Sequence, residues 1–216
     1  MQRVLQIHLV NMNYQKLLDL KLEEIKNSNK VPTLLLHACC APCSSYTIEY
    51  LSKYFKITIY YYNPNIHPKE EYNRRVEELK KFLTEFKTDN EVKLIEEHYD
   101  PLEYFNSVKG LEKLGEKSKR CYECYKLRME EAAKYASLNN FDYFTTTLSI
   151  SPYKVSSWIN EIGEYLSNKY NINYLYADLK KKNGYKRSLE LSKEFNLYRQ
   201  DYCGCIYSKE EREVRK

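Results

Sequence analysis

The chain has 216 residues, and its 35 Lys and Arg against 30 Asp and Glu give a formal net charge of +5. A chain of this length can bury a hydrophobic core without disulfide bridges, so we expect one large domain with at most a short addition. The first residues hold only a brief apolar stretch followed by charged sequence, which argues against a secretory signal or membrane span and predicts a cytoplasmic protein.

Short apolar runs alternate with stretches of helical periodicity, as in a parallel sheet covered by helices. In chain order, the predicted elements are a strand at 33–38, a helix at 42–54, a strand at 57–63, a helix at 72–86, a strand at 92–97, a short helix within 100–120, a helix at 122–138, a strand at 141–148, a helix at 155–170, a strand at 172–177 and a helix at 188–196. The predicted fold class is α/β, an open parallel sheet with helices on both faces. We expect residues 1–30 to form an N-terminal helical arm and residues 31–216 a single α/β domain.

All seven cysteines fall into three groups that lie far apart in the sequence. The groups are Cys39, Cys40 and Cys43, then Cys121 and Cys124, then Cys203 and Cys205. Tight spacings of this kind are typical of thiols that bind a metal or form a redox disulfide, whereas core cysteines occur singly. In a reducing compartment, such thiols are ligands or catalytic groups rather than permanent bridges.

The first two groups are predicted to meet. Cys39 and Cys40 follow the first strand, and open parallel sheets bind ligands beyond the carboxyl ends of their strands. Cys121 and Cys124 lie three residues apart at a helix start, where the helix dipole is expected to lower thiol pKa values. Four thiolates suit zinc or an iron–sulfur cluster; the adjacent Cys39 and Cys40 fit a zinc knuckle poorly and favour the cluster.

Cys203 and Cys205 form a different kind of pair because a single glycine separates them. Gly204 gives the backbone the freedom to bring the two sulfurs together. A ring this short would be strained and easily reduced, as redox-active disulfides are. The alternative is that the two thiolates hold a second metal.

Five motifs resemble those of one enzyme family when taken together and in order. They are HACCAPCSSY, NPNIHPKEEYNRR, CYECYKLR, TTTLSISPYK and GYKRSLELSKEFNLYRQDYCGCIYS. Over residues 31–208 the chain resembles the QueH type of epoxyqueuosine reductase. The resemblance implies a HUP-like fold (adenine nucleotide hydrolase-like), a [4Fe-4S] cluster and one additional iron or other metal ion. It also implies reduction of epoxyqueuosine to queuosine in a tRNA anticodon, with an electron donor that the sequence does not identify.

The resemblance implies a role for each group of cysteines. Cys39, Cys40, Cys121 and Cys124 are the expected cluster ligands, and Cys43 is an alternative ligand, a ligand of the second metal or a helix cap. Converting an epoxide to an alkene releases water and consumes two electrons and two protons, whereas such a cluster normally passes one electron at a time. Cys203 and Cys205 would be a second source of electrons, as a dithiol that releases two electrons on becoming a disulfide, or would hold the second metal.

Other residues near these motifs are candidates for proton transfer and substrate binding. Asp178, Asp201 and Tyr202, and also His37, could donate a proton to the departing oxygen, although each is equally suited to a hydrogen-bonded scaffold. The residues expected to contact tRNA phosphates are Arg128, Arg187 and Arg199, together with the lysines of 180–182.

Two alternative functions stay open at the level of sequence. A tRNA sulfur-insertion enzyme of similar fold needs ATP and a Ser-Gly-Gly-x-Asp-Ser phosphate loop after the first strand. Here HACCAPCSS occupies that place, without the glycines that cradle a pyrophosphate. The other alternative is a non-enzymatic zinc-binding RNA module.

Overall fold

A computed structural model describes residues 12–214 of the chain. The helices are α1 (Tyr14–Asn27), α2 (Ala41–Leu51), α3 (Lys69–Glu85), α4 (Pro101–Ser107), α5 (Lys119–Leu138), α6 (Ser156–Tyr170), α7 (Gly184–Glu194) and α8 (Ile206–Val214). The strands are β1 (Thr33–His37), β2 (Lys56–Tyr61), β3 (Val92–Glu96), β4 (Tyr143–Thr146) and β5 (Asn173–Tyr174), and a 3-10 helix, Thr147–Ile150, follows β4.

The five strands form one parallel sheet in the order β3-β2-β1-β4-β5. In the register, His37 at the end of β1 pairs with Tyr60 of β2 and Thr146 of β4. The chain builds outward from β1 to β3 and then crosses to β4, so strand order reverses between β1 and β4. In such sheets this reversal leaves a crevice beyond the carboxyl ends of the two strands.

Both faces of the sheet are covered, as the apolar run of β1 predicts. Leu34 and Leu36 point into a core shared with α1, α2 and α3, whereas Leu35 points into a core shared with α5 and α6. All three leucines are completely buried. The prediction of an α/β open parallel sheet with helices on both faces is confirmed.

The described part of the predicted N-terminal arm packs on the sheet. Leu18, Leu22 and Ile25 of α1 belong to the same core as β1 and β2. Residues 1–11 of the predicted arm lie outside the described residues, and the boundary at residue 30 stays a prediction. Within residues 12–214, no helix is long and apolar enough to cross a membrane.

Several elements differ from their predicted bounds, including β4 and α7, and one helix was not predicted. The fifth strand is only two residues long because hydrogen bonds from side chains take the place of backbone hydrogen bonds beyond it. The Ala177 amide donates to Asn160 Oδ1 (3.0 Å), and Thr145 Oγ1 donates to the Leu175 carbonyl (2.9 Å). Helix α5 begins at Lys119, three residues before the predicted start. Helix α8 was not predicted, since only Ser208 is buried along it.

Candidate metal centre

Cys39, Cys40 and Cys43 form the first sulfur group, at the turn from β1 into α2. Their Sγ atoms all lie within 4.8 Å of one another, and those of Cys39 and Cys40 are 3.8 Å apart. Cys40 is the N-cap residue of α2 in extended conformation, and a proline in the first turn of the helix fixes this entry. The three sulfurs are therefore gathered by local backbone geometry alone.

The other four cysteines, Cys121, Cys124, Cys203 and Cys205, form the second sulfur group. They line a small cavity of about 20 Å³. Cys121 and Cys124 lie on one face at the start of α5, because residues three apart share a helix face. Cys203 and Cys205 come from the loop before α8, so this group is assembled from distant parts of the chain.

The loop that carries Cys203 and Cys205 is fixed through its backbone. The Cys203 amide donates to Ser208 Oγ (2.8 Å), and Arg75 Nη1 donates to the Cys203 carbonyl (3.1 Å). Gly204 has φ +126°, and its carbonyl accepts from the His67 amide at 2.8 Å. A Cβ at Gly204 would lie 2.9 Å from Arg75 Nη1, so glycine is needed both for conformation and for space.

A larger cavity of about 550 Å³ opens beside the small one, at the carboxyl ends of β1 and β4. Its size is that of a small-molecule site. The sulfurs on its wall belong to Cys39, Cys43, Cys121 and Cys203, and its aromatic residues are Tyr125, Tyr153, Tyr185 and Tyr202. Cys121 and Cys203 line both cavities. All three sequence groups of cysteines thus meet at the crevice of the sheet, whereas a meeting was predicted for the first two.

Three arginine side chains are buried around the sulfurs. Arg75, Arg120 and Arg128 are 1 %, 2 % and 1 % exposed. Buried guanidinium groups are normally paired with hydrogen-bond acceptors. Each of these three groups nevertheless has one nitrogen that forms no hydrogen bond within the described residues. Burial opposes the charge of Arg128, but the sulfurs of Cys124, Cys203 and Cys39 outweigh it and raise its pKa. The surroundings of the sulfurs therefore favour negative charge.

The pKa values of the thiols are shifted for different reasons in the two sulfur groups. Hydrogen bonds among the three sulfurs lower the pKa of Cys39 well below its usual range and raise the pKa of Cys40 to about 11. In the second group, burial raises the pKa of Cys124 to about 12, that of Cys205 to about 11 and also that of Cys121. The predicted lowering at the start of α5 is wrong, because burial outweighs the helix dipole. Binding a metal there must displace protons.

The comparisons with known proteins agree on one family. The family model described as "Epoxyqueuosine reductase QueH" matches residues 34–211. Proteins named epoxyqueuosine reductase QueH from Streptococcus pyogenes serotype M1 and Staphylococcus epidermidis are 43 % and 42 % identical, each over 91 % of this chain and over 78 % and 84 % of their own lengths. The protein of that name from Thermotoga maritima is 35 % identical over 83 % of this chain and 92 % of its own.

The chain belongs to the QueH family. The matched region contains all seven cysteines of this QueH family member, every residue that lines the small cavity and every residue that lines the larger one except Arg212. The resemblance drawn from the five motifs is therefore confirmed.

Of the four predicted proton donors, Asp201 and Tyr202 line the larger cavity. Asp201 is exposed there and accepts from Arg212 Nε (2.7 Å), and the Tyr202 hydroxyl donates to the His67 carbonyl (3.0 Å). Asp178 is not among the residues that line either cavity. Its Oδ1 accepts from Lys180 Nζ at 2.7 Å, so its geometry is that of a scaffold group.

His37 is also part of the scaffold. Its Nδ1 lies 2.8 Å from Thr146 Oγ1 and its Nε2 lies 3.2 Å from the Tyr62 carbonyl. Complete burial lowers its pKa to about 3, so the ring is neutral at physiological pH. It joins the ends of β1 and β4 directly below the first sulfur group.

The three arginines predicted to bind substrate occupy unlike positions. Arg199 is exposed on the wall of the larger cavity. Arg187 is partly exposed but forms an ion pair with Glu49 (2.6 Å). Arg128 is buried, with Nε donating to the Cys124 carbonyl (3.2 Å), and this burial contradicts a phosphate contact at the surface.

Several residues at the site were missed at the level of sequence. Gln200 Nε2 donates to Cys40 Sγ (3.2 Å). Lys154 lines the larger cavity, where the sulfurs of Cys203, Cys39 and Cys43 raise its pKa although burial lowers it.

The buried position of Arg75 could have been recognised from the sequence. It lies on the apolar face of α3, three residues after the buried Tyr72 and four before the buried Leu79. A cation on such a face predicts a buried anionic partner.

Proposed function

We propose that this chain reduces epoxyqueuosine to queuosine in a tRNA anticodon. The epoxide oxygen leaves as water, a carbon–carbon double bond forms, and two electrons and two protons are consumed. The observation that carries the proposal is the meeting of all seven free cysteines at the crevice of a QueH family member. A structural zinc module would need only four of these thiols.

The donor set of the crevice fits an iron–sulfur group, and we assign it a [4Fe-4S] cluster. Thiolates are the ligands of such clusters, and the buried guanidinium groups nearby offset the negative charge that they carry. When bound, the cluster supplies electrons one at a time. Its ligands would be drawn from Cys39, Cys40, Cys121 and Cys124. The compactness of the first sulfur group supports Cys43 as a ligand beside Cys39 and Cys40.

Cys203 and Cys205 would complete the electron supply, either as a dithiol that becomes a disulfide or as ligands of a second metal ion. Ser208 bonds to both residues: its Oγ accepts from the Cys203 amide, and its amide donates to Cys205 Sγ (3.4 Å). Cys203 lines the larger cavity, whereas Cys205 is 7 % exposed and lies behind it. Of the pair, only Cys203 therefore faces the space assigned to the substrate.

The larger cavity would hold the modified base and supply a proton. Tyr125, Tyr185 and Tyr202 offer rings on which a base can stack. Burial raises the pKa of Tyr202 to about 12, so its hydroxyl remains protonated at neutral pH. Tyr202, with Asp201 as a second candidate, would hold the proton that the departing oxygen takes up.

The mouth of the cavity has the chemistry of a surface that binds tRNA. Tyr153 is 69 % exposed there, and Lys117, Arg199 and Arg212 are exposed cations on the same wall. Cations contact phosphates, and an exposed ring stacks on an unpaired base. Binding of tRNA should therefore weaken steeply as salt rises.

The test is an anaerobic assay of the reconstituted chain with epoxyqueuosine-containing tRNA and a chemical reductant. Mass spectrometry of the digested tRNA should show a nucleoside lighter by one oxygen atom. Cys203→Ser should lose multiple turnover, and retained turnover would overturn the role of the C-terminal pair. A colourless preparation that holds only zinc would overturn the cluster, whereas unchanged epoxyqueuosine with an intact cluster would overturn the reaction.

A further inference from the structure

The side chain of Asn65 is buried without a hydrogen-bond partner among the described residues. The residue is 1 % exposed, and neither Oδ1 nor Nδ2 of its side chain forms a hydrogen bond within the described residues. Leaving a buried amide without hydrogen bonds is energetically unfavourable. The neighbouring Asn63 is buried as well, but it donates to the Ala38 carbonyl (2.8 Å) and accepts from Arg128. The amide of Asn65 is therefore suited to a hydrogen-bond partner that the described part of the polypeptide does not supply.

Asn65 lines the small cavity of the second sulfur group. Backbone contacts on its C-terminal side hold it there: the Ile66 carbonyl accepts from Tyr99 Oη (2.7 Å) and the His67 amide donates to the Gly204 carbonyl (2.8 Å). The latter bond ties its segment to the loop between Cys203 and Cys205. Backbone hydrogen bonds thus fix the position of Asn65 at the cavity that the four cysteines also line.

Arg120 lines the same cavity and also has a donor without a partner. Its Nη1 and Nη2 bond to the Glu112 carbonyl (2.9 Å) and Glu211 Oε1 (2.7 Å), but its buried Nε has no partner. Two unpartnered N–H donors and four sulfurs around one cavity form a site for an electron-rich group. A cavity of about 20 Å³ also has room for one water molecule, which is the competing explanation.

We propose that Asn65 is a positioning residue that donates its amide N–H to sulfurs of the second group when these ligate a metal group, and that it thereby raises the reduction potential of that metal group. The proposal rests on the proposed function, in which Cys121 and Cys124 would ligate the cluster and Cys203 and Cys205 would form the redox pair or hold a second metal ion. Hydrogen bonds to sulfur ligands draw electron density from the metal and favour its reduced form. Arg120 Nε acts beside Asn65 in the same sense.

The experiment compares reconstituted full-length wild type with Asn65→Leu and Asn65→Asp. Metal per chain is measured by elemental analysis, and the reduction potential by a titration followed by electron paramagnetic resonance. We expect unchanged metal content, a potential below that of wild type in Asn65→Leu, and a still lower one in Asn65→Asp, where a carboxylate replaces the donor. Asn65→Asp has nearly the shape of the original residue and keeps the test informative if Asn65→Leu fails to fold.

Asn90→Leu is the matched control. Asn90 is a half-buried asparagine whose Nδ2 donates to the Ser52 carbonyl (2.8 Å), two residues before the start of β3 and so at the opposite end of the sheet. Its potential should equal that of wild type. A wild-type potential in both Asn65 variants would overturn the proposal in favour of a bound water. Loss of a metal ion in Asn65→Leu would overturn it by making Oδ1 a ligand. A wild type that takes up no metal would instead overturn the metal content of the proposed function, and this proposal with it.

Discussion

The two sulfur groups differ in how the chain builds them. The first comes from five consecutive residues at the turn between β1 and α2, and its three sulfurs lie within 4.8 Å of one another. The second joins α5 to a loop about eighty residues further along the chain, and buried arginines and single hydrogen bonds hold the two parts together. The first group therefore depends on local backbone geometry, whereas the second depends on long-range docking.

This difference implies that the groups can be damaged separately. A change that undocks the C-terminal loop should disperse the second group but cost the first only the hydrogen bond from Gln200 to Cys40, because the turn at Cys39–Cys43 itself brings its three sulfurs together. Damage at the end of β1 should act on the first group directly. Each change below tests one side of this division.

Removing one sulfur from each group should have the largest effect, because both groups are assigned to the reaction. We expect Cys39→Ser and Cys205→Ser each to lower turnover by at least about 100-fold and to lower the metal content. Assays of queuosine formation alongside elemental analysis check this. If one variant turned over like wild type, the group that it belongs to would not be needed.

Low pH should destabilise the fold beneath the first sulfur group, because it protonates His37. A histidine whose pKa is lowered by burial binds fewer protons in the folded chain than in the unfolded one. Stability is therefore complete above about pH 6.5 and falls as the pH drops toward about 3. Relative to His37→Gln, wild type should lose on the order of 4 kcal/mol more unfolding free energy over this interval. Urea unfolding across pH measures both proteins, and parallel curves would contradict the assignment of a neutral buried ring.

Breaking the ion pair between Arg120 and Glu211 should loosen the second group. The pair joins α5 to α8 at 2.7 Å, and the side chains are 2 % and 25 % exposed. Glu211→Gln should lower the unfolding free energy by about 1–3 kcal/mol, less than for a fully buried pair. Maleimide labelling of the metal-free chain should accelerate at Cys203 and Cys205 but not at Cys39. The matched control is Glu24→Gln, in the exposed pair with Lys21, which should change neither quantity.

The smallest effect is expected from Gly204→Ala. The substitution forces a side chain onto φ +126° and against Arg75, so we expect a loss of about 1–2 kcal/mol that is confined to the C-terminal loop. Gly115→Ala is the control, because a Cβ there meets nothing within 4 Å. Equal denaturant midpoints for the two variants would show that the loop tolerates another conformation.

The meeting of the cysteines could be predicted because it follows from topology. Cys39 follows a buried strand, and parallel strands place their carboxyl ends at the same edge of the sheet. The helix that carries Cys121 and Cys124 was recognisable from its apolar face. The parallel sheet, its two covered faces and the location of the crevice were thus accessible from the sequence, whereas the order of the strands was not predicted.

The division of the sulfurs could not be predicted, because the position of the C-terminal loop depends on distant single contacts. The bonds from His67 to Gly204 and from Arg75 to Cys203 have no local signature in sequence. Arg128 shows the same limit: its position in the sequence did not distinguish a surface phosphate contact from a buried partner of sulfur. Asp178 lies near the motifs in the sequence, but its carboxylate forms an ion pair with Lys180.

The sharing of Cys121 and Cys203 between the two cavities has a consequence for electron transfer. A group in the small cavity and a molecule in the larger one would be separated by these two side chains rather than by layers of packed protein. An electron passing between them would not need a long tunnelling path or a further carrier. Replacing either sulfur would therefore alter the electronic coupling between the cavities as well as a binding site.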